Sequence, residues 1–414
     1  MPLSLNDAVR AALAGQPQLA AGAALAAADR AAADSSEVAW LPTVTLSAQA
    51  LATDDPLAVL GAKLEERSVS AATFTPGSLN EPGFIADVGL GAEAQMPLFT
   101  SGRIEGSRLA AIAQARASGL QQAFDRQALS VRVVEAYFRA ELGDRAVLSA
   151  KDEVTQALET ERFVKARVAQ DLLLPADRDR TAAYRAEAEA HLVTIAQDRD
   201  DARADLALLC GETARSAELV TPVDTTAAAE PRPIVRADLQ ASRAREEAAR
   251  AGVEVAKSQG GPQVGLQARG GALWGGGTAL GAFVTVGLAA RFDLLSPTSP
   301  GLARAAAQTA IAAAEASRWK ELQATAETER LRRSVAAADA RVGANQEALT
   351  ASESARRLRQ ARHQQGLLPL TDLLDAQTAS TRARTSLFQA QLEASVGRAR
   401  LRLATGQPVE GTDQ

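Results

Sequence analysis

Two stretches of this chain, residues 103–168 and 301–363, carry unbroken Ala-rich helical patterning, and they constrain the fold more than any other feature. At a 1.5 Å rise per residue, a helix over either stretch is roughly 100 Å long, far longer than a globular core of ordinary size. Each follows a Pro/Gly breaker, MPLFTSGR (96–103) or FDLLSPTSPG (292–301). Each leads into a turn, AQDLLLPAD (169–177) or QQGLLPLTD (364–372), and then a return helix reaching about Cys210 or Ala404. Gly211 and Gly406 stand where a helix C-cap is expected.

The same order of elements precedes both. Residues 3–38 read as one helix, with Ser4 or Asn6 as N-cap, ending at Trp40-Leu41-Pro42; residues 234–258 read likewise, ending at Gly260-Gly261-Pro262. QPQLAAG (16–22) aligns with RADLQAS (236–242), and Pro42 with Pro262. The expected organisation is therefore a first repeat over 1–210, a linker over 211–233, a second repeat over 234–406 and a C-terminal tail over 407–414, the seam being TPVDTTAAAEPRP (221–233).

After each proline the period changes from helical to two. In 43–51 Val44, Leu46, Ala48 and Ala50 oppose Thr43, Thr45, Ser47 and Gln49. Residues 87–96, 263–269 and 281–292 repeat the alternation, and charged Glu93, Arg269 and Arg291 fall on the polar faces. Such segments have the length and pattern of transmembrane β-strands, about 9 to 11 residues each. Four strands cannot close a membrane barrel, and an open edge in lipid leaves backbone groups unpaired. If these strands lie in a membrane, the chain must oligomerise, and three copies supply twelve strands. The alternative is a small soluble sheet with one face on a core.

Composition excludes several classes. A net charge of −5 and a pI near 5.4 give no reason to expect nucleic acid. One cysteine, Cys210, and two histidines, His191 and His363, rule out a disulfide framework and argue against a Cys/His metal centre, so no metal or cofactor is expected. No apolar run is long enough for a membrane-spanning helix, and the start MPLSLNDAVRAAL lacks a signal pattern, which leaves a cytosolic protein or one whose signal was removed. Gly89-x-Gly91-x-x-Ala94 has dinucleotide-fingerprint spacing but is followed by Pro97 instead of a helix. Gly275-Gly276-Gly277 reads as a hairpin tip, and Trp274 and Trp40 as either interfacial anchors or simple packing residues. No nucleophile stands with a base, so no enzyme is expected.

The repeat, the Trp40-Leu41-Pro42 junction, Pro97-Leu98-Phe99 with Gly102-Arg103, the insertion DPLAVLGAKLEE (55–66) with LNEP (79–82), and HQQGLLPLTDLLDAQ (363–377) before LRLATG (401–406) together resemble the TolC family of outer-membrane efflux proteins. The resemblance implies a mainly α protein with transmembrane β: a homotrimer whose chains each give four strands to a shared 12-strand barrel in the outer-membrane lipid, with long coiled-coil helices forming a periplasmic tunnel. It implies an exit duct for tripartite efflux or type I secretion, working with a periplasmic adaptor protein and an inner-membrane transporter. The mature protein is then exported, its signal removed, and without an N-terminal cysteine no lipid anchor is expected. A soluble helical coiled-coil scaffold or adaptor remains the alternative. Clean heptads with charged e and g positions would favour it, and the Ala-rich helices show none.

The resemblance also places residues. Asp372 and Asp375 match aspartates that narrow the channel at the periplasmic tip; spaced i and i+3, they share a helix face, and threefold symmetry gathers six carboxylates. The ordinary reading is that Asp near a helix N-terminus satisfies free N–H groups, with Thr371 or Asp372 as N-cap. Asp171, Leu172, Leu173, Asp177, Gly366, Leu367, Leu368 and Thr371 fall in the tip turns, where adaptor or pump contacts are implied, and Glu93, Arg269 and Arg291 face the barrel lumen. His363 and Leu368 replace the tyrosine and arginine with which the family's best-known member ties its tip shut. Arg356, Arg357, Arg359 and Arg362 are candidate substitutes, or merely a solvated face. Asp177 falls opposite Asp372 in the first repeat and Arg180 opposite Asp375, so the acidic pair is not duplicated.

Overall fold

The computed structural model describes residues 2–222, 236–275 and 281–409. Most of the seam, Gly276 and Gly277, and the tail from residue 410 lie outside the described residues. The chain runs β1 (Pro2–Leu3), α1 (Leu5–Gly15), α2 (Pro17–Glu37), β2 (Thr43–Thr53), α3 (Pro56–Glu65), α4 (Pro76–Asn80), β3 (Ile85–Phe99), α5 (Arg103–Val168) and α6 (Pro175–Cys210). It continues with β4 (Glu218–Leu219), α7 (Ala237–Ser258), β5 (Gln263–Gly275), β6 (Gly281–Arg291), α8 (Ser299–Gln364) and α9 (Leu370–Ala404). The expected order of elements is present twice.

The structure refines several local expectations. The helix read over 3–38 is two helices, because Pro17 has no N–H to continue the ladder and starts α2 instead. Gln16 fills the break, its amide donating to the Leu208 and Leu209 carbonyls at 2.8 and 2.9 Å and so capping the end of α6. Ser4, not Asn6, caps α1, its hydroxyl accepting from the Asp7 N–H at 3.1 Å. The connection after β2 contains the short helices α3 and α4, with Asp55 and Pro56 opening α3. The strand after Pro262 runs six residues past Arg269, through GGALWG, which the sequence reading placed in the loop.

The described chain divides into two compact units, each drawing on both repeats: residues 1–26, 117–242 and 316–414, and residues 27–116 and 243–315. The first is helical. Its main core joins Leu5, Val9, Val133, Val134, Tyr137 and Leu206, and Tyr137 is fully buried. The Tyr137 hydroxyl donates to the Leu3 carbonyl at 2.8 Å and accepts from the Thr221 N–H at 3.0 Å, clamping the parallel pair β1–β4. Burial pushes the nearby Cys210 thiol up to about 11, which keeps it protonated and unreactive at neutral pH.

The second unit contains an antiparallel sheet in the order β2-β3-β5-β6. Thr45 pairs with Glu93, Glu93 with Arg269 and Arg269 with Thr285, whereas Leu46 pairs with Ala92 and Ala268 with Val286. Charged and apolar residues thus keep largely to opposite faces, as a period of two requires, with Leu273 and Phe283 as large apolar side chains that join Glu93 and Arg269 on the polar face. β3 carries Pro97 without breaking, since the register shifts between Pro97 and Phe99, a bulge of the kind that accommodates a residue with no N–H to donate.

Candidate functional site

In the helical unit, the turns after α5 and α8 have one backbone design. Asp171 and Gly366 take the left-handed conformation, with φ of 57° and 76°. The next N–H groups, Leu172 and Leu367, reach back to the Arg167 and Arg362 carbonyls at 3.0 Å, a six-to-one closure that satisfies carbonyls at the helix end. Leu172, Leu174 and Leu367 are left exposed. Their neighbours Leu173, Leu370 and Leu374 turn inward and pack with Val164, Phe163, Val168 and Tyr184.

The return helices differ, and the difference concerns the aspartates. Asp177 turns its carboxylate back to accept from the Leu174 N–H at 3.2 Å, closing the start of α6. In the second repeat Pro369 stands where Leu174 does in the first, and proline has no N–H. The N-cap of α9 is Pro369, so neither Thr371 nor Asp372 fills that place; Asp372 sits in the first turn with no cap bond to make. Among the described residues its carboxylate has no hydrogen-bond or ion-pair partner, and Asp375, one turn on, is exposed. Leu370, Leu373 and Leu374 anchor the opposite face of α9, which fixes Asp372 and Asp375 on one outer side.

His363 and Leu368, the two tip positions singled out in the sequence, meet. The His363 Nδ1–H donates to the Leu368 carbonyl at 2.9 Å, and the ring lies edge-on to Phe163 with centroids 5.7 Å apart. His363 is buried, and among the described residues its Nε2 has no partner. A cavity of about 270 Å³ lies beside it, lined by Phe163, Arg167, Leu172, Asp177 and Thr371 among others.

The arginines upstream do separate work. Arg359 donates to the Asp372 carbonyl at 3.3 Å, joining α8 to the first turn of α9. Arg356 reaches Gln156 of α5 at 2.8 Å, and Arg384 of α9 reaches Ser149 of α5 at 2.7 Å, so both bridge the two repeats. Sequence reading missed a further tie, in which Glu161 of α5 accepts from Arg185 of α6 at 3.0 Å and pairs with Lys165 at 2.9 Å. The Lys165 hydrogen bond, with the charges of Lys165 and Arg185, outweighs burial and holds the Glu161 carboxyl below its usual range. The i, i+4 spacing of Glu161 and Lys165 was a visible signal; the Arg185 partner, from the next helix, was not.

In the sheet unit, Glu93, Arg269 and Arg291 share the polar face. Arg269 lies 3.8 Å from Glu93, and Arg291 pairs with Asp293 at 3.2 Å. The apolar face covers no core: Leu46 and Val284 are each 80% exposed, and Val286, Leu288 and Trp274 are exposed beside them. A soluble capping sheet would have buried these residues, each worth about 1.5–3 kcal/mol on full burial. Among the described residues β2 and β6 leave the outer edges of the sheet unpaired. Among the described residues no helix is long and apolar enough to cross a membrane.

Comparison with known proteins converges on one class. Residues 235–407 match the model of the outer membrane efflux protein family. None of the curated proteins matches the chain in sequence. Among solved structures, the outer membrane protein VceC of Vibrio cholerae is 22% identical, covering 98% of this chain and 97% of its own, with a TM-score of 0.81. The CmeC outer membrane channel of Campylobacter jejuni is 14% identical over 99% of this chain and 87% of its own, at 0.84. The MtrE outer membrane channel of Neisseria gonorrhoeae is 20% identical over 99% and 90%, at 0.81. The fold of the whole chain is that of an outer-membrane channel. Residues 235–407 are thus similar to the outer membrane efflux protein family, a family of passive channels and not a class of enzymes.

Proposed function

We propose that three copies of this chain assemble into an outer-membrane exit duct for efflux or secretion, receiving substrates from an inner-membrane transporter through a periplasmic adaptor. The observation that carries this reading is the four-stranded sheet, with an exposed apolar face, a polar face bearing Glu93 and Arg269, and two free edges. In lipid those edges need partners, and joining β2 of one copy to β6 of the next satisfies them in a twelve-stranded barrel. The polar face then lines water and the apolar face meets lipid. The duct performs no chemistry, and the partner pump supplies the energy.

On this reading the turns at 169–174 and 365–369 form the entrance, and their exposed leucines Leu172 and Leu367 are the surface offered to the adaptor or pump. Asp372 and Asp375, free of capping duty, form the aperture. Six carboxylates around one axis attract cations and repel anions. In planar bilayers the Asp372→Ala/Asp375→Ala double variant should lose most of its cation preference and its block by multivalent cations. Unchanged selectivity would remove the acidic ring from the account while leaving the barrel intact. The two repeats 1–210 and 234–406 then contribute equivalent helix pairs to one tunnel wall.

A further inference from the structure

In the sheet unit, the C-terminal end of α3 meets the strand ends at Asp87 of β3, Gly275 of β5 and Gly281 of β6. A Cβ on Gly275 would fall closer than 3.0 Å to both Asp87 Oδ1 and Glu66 Oε1, so the two oxygens converge on one spot. A Cβ on Gly281 would collide with the Glu65 carbonyl, so glycine at both places is what lets α3 press onto the sheet. Glu66 is 7% and Asp87 6% exposed. Glu66 Oε1 is fully shielded and has no hydrogen-bond partner, and among the described residues neither carboxylate has an ion-pair partner. Among the described residues Lys63 and Arg67, the cations nearest in sequence to Glu66, form no ion pair with it. Glu66 is also the C-cap of α3, where the helix presents the negative end of its dipole.

Two buried carboxylates and a helix C-terminus meeting without a positive group is costly, because like charges repel strongly where water is excluded. We propose that Glu66 and Asp87 bind a hard divalent cation, Ca²⁺ or Mg²⁺, which pins the 54–84 insertion to the end of the sheet. Carboxylate oxygens are the ligands such ions prefer, and backbone carbonyls and water complete the shell. With only two protein carboxylates the affinity belongs to the weak class of Ca²⁺ sites, with Kd about 0.1–1 mM. The site does not depend on the aperture at Asp372 and Asp375.

The test uses the full chain in detergent, stripped with EDTA, on the Asp372→Ala/Asp375→Ala background so that aperture carboxylates do not contribute. Calorimetric titration with CaCl₂, repeated with MgCl₂, should show one saturable ion per chain for at least one of them and a matching rise in apparent Tm. Glu66→Gln and Asp87→Asn should each weaken binding at least tenfold, and Gly275→Ala, which fills the spot, should abolish it. As a readout needing none of these three changes, Tb³⁺ should give luminescence sensitised by the neighbouring Trp274 and quenched by excess Ca²⁺. No saturable binding of either ion, undiminished binding in Glu66→Gln and Asp87→Asn, or Tb³⁺ emission untouched by Ca²⁺ would each overturn the proposal. So would an apparent Tm that responds to neither ion.

Discussion

Leu174 and Pro369 occupy equivalent places in the two repeats, and one missing N–H separates the duties of Asp177 and Asp372. Asp177→Ala removes the bond to the Leu174 N–H and should cost roughly 0.5–2 kcal/mol, the usual price of a lost helix cap. Asp372→Ala breaks no side-chain bond and should stay within about 0.5 kcal/mol, so thermal unfolding of the two variants should separate them. Equal losses would mean that Asp372 has a structural role after all. Glu161 gives the pH dependence. Its folded-state pKa is depressed, so its stabilisation is present above the unfolded value near 4.5 and is lost as pH falls through the folded one. Glu161→Gln should lower the apparent Tm at pH 7 and should match the parent once the pH is below both values. A gap that persists in acid would place the effect in packing instead of charge.

At the scale of elements, the sheet offers a comparison between its faces. Leu46→Lys and Val286→Lys put a charge on the apolar face, where lipid contact costs about 2–4 kcal/mol near mid-membrane. Thr285→Lys puts the same charge on the face that carries Arg269. Assembly yield should fall for the first two and hold for the third; equal yields would argue that the exposed apolar face does not meet lipid. These faces were legible in the sequence because alternation is a local signal, and so were the ends of α5, marked by Gly102-Arg103 and by the turn after Val168. The break at Gln16-Pro17 was visible as a proline, but only the contact with Leu208 and Leu209 shows why the chain divides there. The same distinction runs through the tip. Periodicity places Asp372 and Asp375 on one side of α9, whereas the meeting of His363 with Leu368 and the ties from Arg356 and Arg384 to α5 depend on which helices become neighbours, information that one-dimensional patterning lacks. The Tyr137 clamp is of that kind too, since its partners Leu3 and Thr221 lie far away in sequence.

For the whole molecule, everything turns on the unpaired edges of β2 and β6. A single chain cannot satisfy them in lipid, and the near-complete match to outer-membrane channels comes from structures whose fold this chain shares at low identity. The decisive quantity is the protein mass of the purified particle, measured by light scattering with the detergent contribution subtracted. The expected value is three times the 43.1 kDa of one chain, in a particle that precipitates when detergent is withdrawn. A particle of one chain mass that remains folded and dispersed in buffer alone would contradict a barrel built from three partial walls.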